Sequence, residues 1–124
     1  MQTTKKLVFS DGREFIVDFP KVGQFLQITS LKNALTDNQY AEMVRGNLQG
    51  FDFMLDIVDM IASFSTLIPE LRKQLDVKSY GELDLIEAKK LVQVYSEQYR
   101  PWYNEIMKSV YEYGQEDKKD EPTK

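Results

Sequence analysis

The chain contains no cysteine and no histidine. Without cysteine there is no disulfide, thiolate nucleophile or zinc–thiolate site, a usage that suits a cytoplasmic protein. Without histidine the commonest general base and the commonest metal ligand are both missing, so Ser10, Ser63 and Ser96 have no imidazole to activate them. Glycine is sparse, and Gly23 and Gly46 stand in no phosphate-cradling pattern such as GxGxxG. No apolar run approaches the ~20 residues that span a bilayer, and Lys5-Lys6 is not followed by the apolar core of a signal peptide. Positive charge is also short. The formal charge of −4 and pI near 4.9 repel nucleic-acid phosphates and anionic lipid surfaces. These absences argue against an enzyme, and no cofactor, metal, nucleic acid or membrane is expected.

What is present begins with a hairpin. Leu7-Val8-Phe9-Ser10-Asp11-Gly12-Arg13-Glu14-Phe15-Ile16-Val17 reads as two strands around a turn. A two-residue Asp11-Gly12 loop would scatter apolar residues over both faces. A three-residue Ser10-Asp11-Gly12 loop, with Gly12 left-handed, pairs Phe9 with Arg13 and Leu7 with Phe15. That register places Leu7, Phe9, Phe15 and Val17 on one face, and a one-residue slip would undo it. Such a hairpin is marginal alone in water, so its apolar face must pack on helices or on a partner.

The remainder reads as helical. Pro20 opens a helix through about Leu35, with Val22, Phe25, Leu26, Ile28 and Leu31 as its buried stripe. Thr36-Asp37-Asn38-Gln39 has the spacing of a capping box, so a second helix is expected near Asn38, weakened by Gly46 and Gly50. Phe51 to about Phe64 is apolar on most sides and belongs at the centre. A short helix restarts at Pro69, and Ser79-x-x-Glu82 signals a longer one to Tyr99. Pro101 kinks that helix or begins another, and Gly114 stops it. The expected fold is α+β, mostly α: an N-terminal β-hairpin packed on a bundle of about five helices. Residues 1–114 make a single domain, and 115–124 a charged, disordered tail.

Three features could carry function. Asp52, Asp56 and Asp59 share a helical face, and oxygen ligands so spaced could hold a divalent cation. Three carboxylates from one helix cannot surround an ion, and a solvated stripe is the better reading. Tyr95, Tyr99, Trp102, Tyr103, Ile106 and Val110 form a second stripe across Pro101. Core packing is its default explanation, and an exposed docking strip is the functional one, since Trp and Tyr dominate interface hot spots. The third is the hairpin, whose strand edges have no obvious partner and invite pairing with another chain. The candidate protein-binding residues are therefore Leu7, Phe9, Phe15 and Val17 with Tyr95, Tyr99, Trp102, Tyr103 and Ile106.

The opening, an apolar strand, Ser10-Asp11-Gly12-Arg13-Glu14, a second strand and a helix from about Val22, resembles the start of bacteriophage tail assembly chaperones. The resemblance covers roughly the first thirty-five residues. It implies a cytoplasmic, non-catalytic protein that keeps a long helical tape-measure client soluble until the tail tube forms around it. Client helices would take the aromatic stripe, and the hairpin would serve self-association into a homo-oligomer. The alternatives are a structural subunit of a virus particle (capsid decoration, connector or baseplate) and a small bacterial adaptor or inhibitor.

Overall fold

The hairpin forms in the register that segregates its side chains. A computed structural model describes residues 2–46 and 52–120, with side chains up to Glu112. Strands β1 (Thr4–Val8) and β2 (Glu14–Asp18) pair antiparallel, with Leu7 opposite Phe15, Val8 opposite Glu14 and Lys6 opposite Ile16. The Gly12 N–H donates to the Phe9 carbonyl at 2.9 Å, and the Phe9 N–H donates to the Arg13 carbonyl at 2.8 Å. Gly12 sits at φ +93°, where a Cβ would strain the backbone. Asp11 accepts from the Arg13 N–H at 3.1 Å and pairs with its guanidinium at 2.9 Å.

The helical segments are α1 (Val22–Leu35), α2 (Tyr40–Gly46), α3 (Asp52–Leu67), α4 (Pro69–Gln74), α5 (Leu85–Val94) and α6 (Arg100–Asp120). The fold is α+β and mostly α, with the N-terminal hairpin packed on helices. Helix α3 is central, lying against α1, α2, α4 and α5. Its Met60 and Phe64 meet Leu7, Phe9 and Val17 of the hairpin, Leu71 of α4, and Leu91, Val92 and Val94 of α5. Pro69 occupies the first turn of α4, where its missing N–H has no helical partner to lose.

Several boundaries differ from the sequence reading, each for a local reason. Thr36-Asp37-Asn38 ends α1 instead of starting α2. Asp37 and Asn38 adopt left-handed φ of 53° and 64°, and the Asn38 N–H donates to the Asn33 carbonyl at 2.7 Å. That is a helix-terminating loop, and Asn and Asp enter left-handed space at lower cost than other side chains. The Thr36 hydroxyl donates back to the Lys32 carbonyl at 2.8 Å, so it is turned toward the helix it ends. Likewise Ser79 caps no long helix. It precedes a single 3₁₀ turn, Tyr80–Glu82, and the N-cap of α5 is Asp84, whose Oδ1 accepts from the Glu87 N–H at 2.8 Å.

Pro101 stands in the first turn of α6, which begins at Arg100, in line with the second of the two expectations. Between α5 and α6 the backbone passes through a π turn, Tyr95–Tyr99, in which the Arg100 N–H reaches the Tyr95 carbonyl. The wider turn just before Pro101 accommodates the residue that cannot donate. Gly114 does not stop α6, which continues to Asp120 within the expected tail. Gly50, Phe51 and residues 121–124 lie outside the described residues.

Candidate functional site

The two surfaces expected to dock partners are covered by the molecule itself. Leu7, Phe9 and Val17 of the hairpin and Tyr95 and Tyr99 of the stripe are buried in one cluster, with Phe15, Trp102 and Tyr103 packed against it. Ile106 is buried as well. The rings run as a continuous series. Phe9 meets Phe64 edge-on at 5.8 Å, and Phe64 meets Tyr95 at 5.9 Å. Tyr95 stacks on Tyr99 at 5.3 Å, and Tyr99 on Tyr103 at 5.7 Å. Phe19, just past β2, stacks on Tyr103 at 5.4 Å and meets Trp102 edge-on at 5.8 Å. A hairpin too small to stand alone has found the nearest apolar surface: Leu7, Phe9, Val17, Tyr95, Tyr99 and Ile106 are buried in the core, and Phe15, Trp102 and Tyr103 pack against it half-buried.

The β1 edge is tied to the helical body at its Val8 end and just before its start. At the π turn the Gln98 carboxamide accepts from the Val8 N–H and donates to the Val8 carbonyl, both at 2.8 Å. One turn on, the Trp102 indole N–H donates to the Gln2 carbonyl at 3.0 Å. An amide side chain thus supplies what a third strand would supply.

Two members of the aspartate stripe of α3, Asp56 and Asp59, form a polar junction, while Asp52 remains exposed as the solvated-face reading expects. Asp56 accepts from Arg100 at 2.6 Å. Asp59, only 14% exposed, accepts from the Tyr40 hydroxyl at 2.6 Å, with Lys32 at 3.4 Å and Arg100 at 3.7 Å. One carboxylate therefore ties together α1, α2, α3 and α6. Burial opposes the Arg100 charge, but the hydrogen bond and charge of Asp56, joined by Tyr95, hold its proton more firmly than usual. The Arg100 guanidinium also lies over the Tyr95 ring at 5.0 Å. Burial pushes the Tyr95 phenol up to about 12, with the Asp59 charge adding to it. Tyr40 is raised by burial and by its bond to Asp59. These phenols stay protonated near neutrality and act as hydrogen-bond donors, not as bases.

Among the apolar side chains that remain open are three at spacings of three and four on α1. Val22, Phe25 and Leu26 at the start of α1 are 78%, 44% and 61% exposed, whereas Ile28 is buried against the body. The sequence reading had placed all of them in one buried stripe. The stripe from Val22 to Leu31 spans an arc of about 220° at 3.6 residues per turn, wider than one neighbouring helix can cover. That width was the available signal. The strip is bordered on the body side by Tyr103, which lines a small cleft with Phe25, Ile28 and Thr29.

No family model, curated protein or solved structure matches the chain. A concavity of 320 Å³ is lined by Gln2, Trp102, Glu105, Ile106 and Ser109, and two more are present among the described residues. One, of 350 Å³, sits beside the hairpin turn over Leu71, Leu83 and Leu91, with Arg13, Glu87 and Lys90 at its rim. The other, of 400 Å³, is a shallow groove between α2 and α3 bounded by Val44, Leu55 and the Asp56–Arg100 pair. No helix among the described residues is long and apolar enough to cross a membrane.

Proposed function

We propose that this is a non-enzymatic protein-binding protein, an assembly chaperone of the phage-tail type that holds a long, helical tape-measure client in solution. The observation that supports the reading is the open strip Val22-Phe25-Leu26 on α1, at the i, i+3, i+4 spacing that pairs with an amphipathic helix. The rigid aromatic core beneath α1 keeps that strip presented, and the net charge of −4 keeps the molecule dispersed while the strip is open. The docking face is thus α1 and not the Tyr95 to Ile106 stripe.

The test is affinity capture with the full chain from its native lysate, compared with the Leu26→Glu variant, with mass spectrometry of the eluate and of purified particles. A long helical partner retained by the native chain and lost by Leu26→Glu, with the chain itself missing from particles, is the expected result. Capture unaffected by Leu26→Glu would remove α1 as the docking face. The chain found in particles at fixed stoichiometry would make it a structural subunit instead.

A further inference from the structure

We propose that the outer edge of β2 is a strand-addition site for an extended segment of a partner protein in which an apolar residue is flanked, at alternate positions, by Lys or Arg. The hydrogen-bonded pairs of the hairpin are fixed at its two ends. The Phe9 N–H donates to the Arg13 carbonyl, and the Phe19 N–H donates to the Thr3 carbonyl. Antiparallel alternation then turns Phe15 and Val17 toward β1 and leaves the N–H and C=O of Glu14, Ile16 and Asp18 directed outward. Among the described residues no other element hydrogen-bonds those outward groups.

The two edges of the hairpin are not equivalent. Gln98 takes both outward groups of Val8 on β1 and Trp102 takes the Gln2 carbonyl just before that strand, whereas among the described residues no side chain reaches the outward groups of β2, where Ile16 is 72% exposed at the centre. An added strand would bring a two-stranded ribbon to three strands and cover Ile16.

Charge selects the occupant. The side chains of Glu14 and Asp18 stand on either side of Ile16 on the exposed face. Glu14 reaches Lys6 across the hairpin at 2.9 Å, while Asp18 lies opposite Thr4 and pairs with no cation among the described residues. A second copy paired antiparallel about Ile16 would set Glu14 against Asp18 of the copy, a like-charge opposition that destabilises sheets. A basic–apolar–basic segment meets both carboxylates and the isoleucine at once. The site lies on the hairpin and stands whether or not α1 takes helices.

The experiment is fluorescence anisotropy of two labelled synthetic peptides against the full chain. One is built on Lys-Thr-Val-Thr-Lys, and the other carries Glu in place of Lys. The basic peptide should bind about tenfold tighter or more, since opposite-charge pairs replace like-charge ones. Its binding should slow amide exchange at Ile16. The double variant Glu14→Lys, Asp18→Lys should reverse the preference. Ile16→Pro, which deletes an outward N–H at an edge position where proline is tolerated, should lose binding. If Ile16→Pro does not fold, the charge-reversed variant decides alone. Equal binding of the two peptides, no binding of either, or a dimer whose Ile16 amide is already protected would each overturn the proposal.

Discussion

Val8 has its backbone N–H and carbonyl turned away from β2, and the Gln98 side chain satisfies both at 2.8 Å. A primary amide offers an N–H donor and a carbonyl acceptor in nearly the geometry of a peptide, so one side chain can satisfy both groups of a strand-edge residue. No pattern in the sequence announces this contact, which joins residues ninety positions apart and depends on the π turn that aims Gln98. The bonds lie near the surface, and water can replace them in part. Gln98→Ala should therefore cost about 1–2 kcal/mol, the net worth of two such bonds. Chemical denaturation would show a lower midpoint with an unchanged slope, and Val8 amide exchange would accelerate. An unchanged Val8 exchange rate would mean that the carboxamide does not hold the edge.

At the scale of elements, the hairpin was the most legible part of the chain, because alternation and one glycine settle its register. Gly12→Ala tests that directly. Open space surrounds the added Cβ, so the cost comes only from φ +93° and should be about 1 kcal/mol by thermal unfolding. A cost near zero would show that the turn can relax. Helix existence was also legible, since α1, α3 and α4 form where they were expected and Pro69 sits where it is tolerated. Helix ends were not. Thr36, Asp37 and Asn38 are as well suited to leaving a helix as to entering one, and only the chain's path decides between them. The binding surface failed for a different reason. Periodicity tells which face is apolar but not what covers it, so the hairpin face and the Tyr95–Tyr103 stripe were each identified without their contact being visible. The strip of α1 is among the apolar side chains left exposed once those two have met.

The molecule as a whole is held by desolvated aromatic groups, and this sets its response to pH. Burial raises Tyr80 and Tyr95 to about 12 from an ordinary 10.0, and it raises Tyr99 and Tyr103 as well. A phenol whose folded value lies above its unfolded value favours folding while it is neutral. That contribution is whole below pH 10 and is lost as pH rises from there through 12. With no histidine, no side chain of ordinary value titrates between roughly pH 6 and 8. Stability should therefore be level across that range and fall steeply above pH 10, with phenolate absorbance appearing together with loss of helical circular dichroism. Tyr95→Phe removes one of the titrating phenols and leaves a ring for Arg100 to lie over, so it should move the alkaline midpoint to higher pH. Phenolate absorbance that reached completion near pH 10 with the helices intact would show that these rings are wetted, and that the core does not have the density its stacked geometry implies.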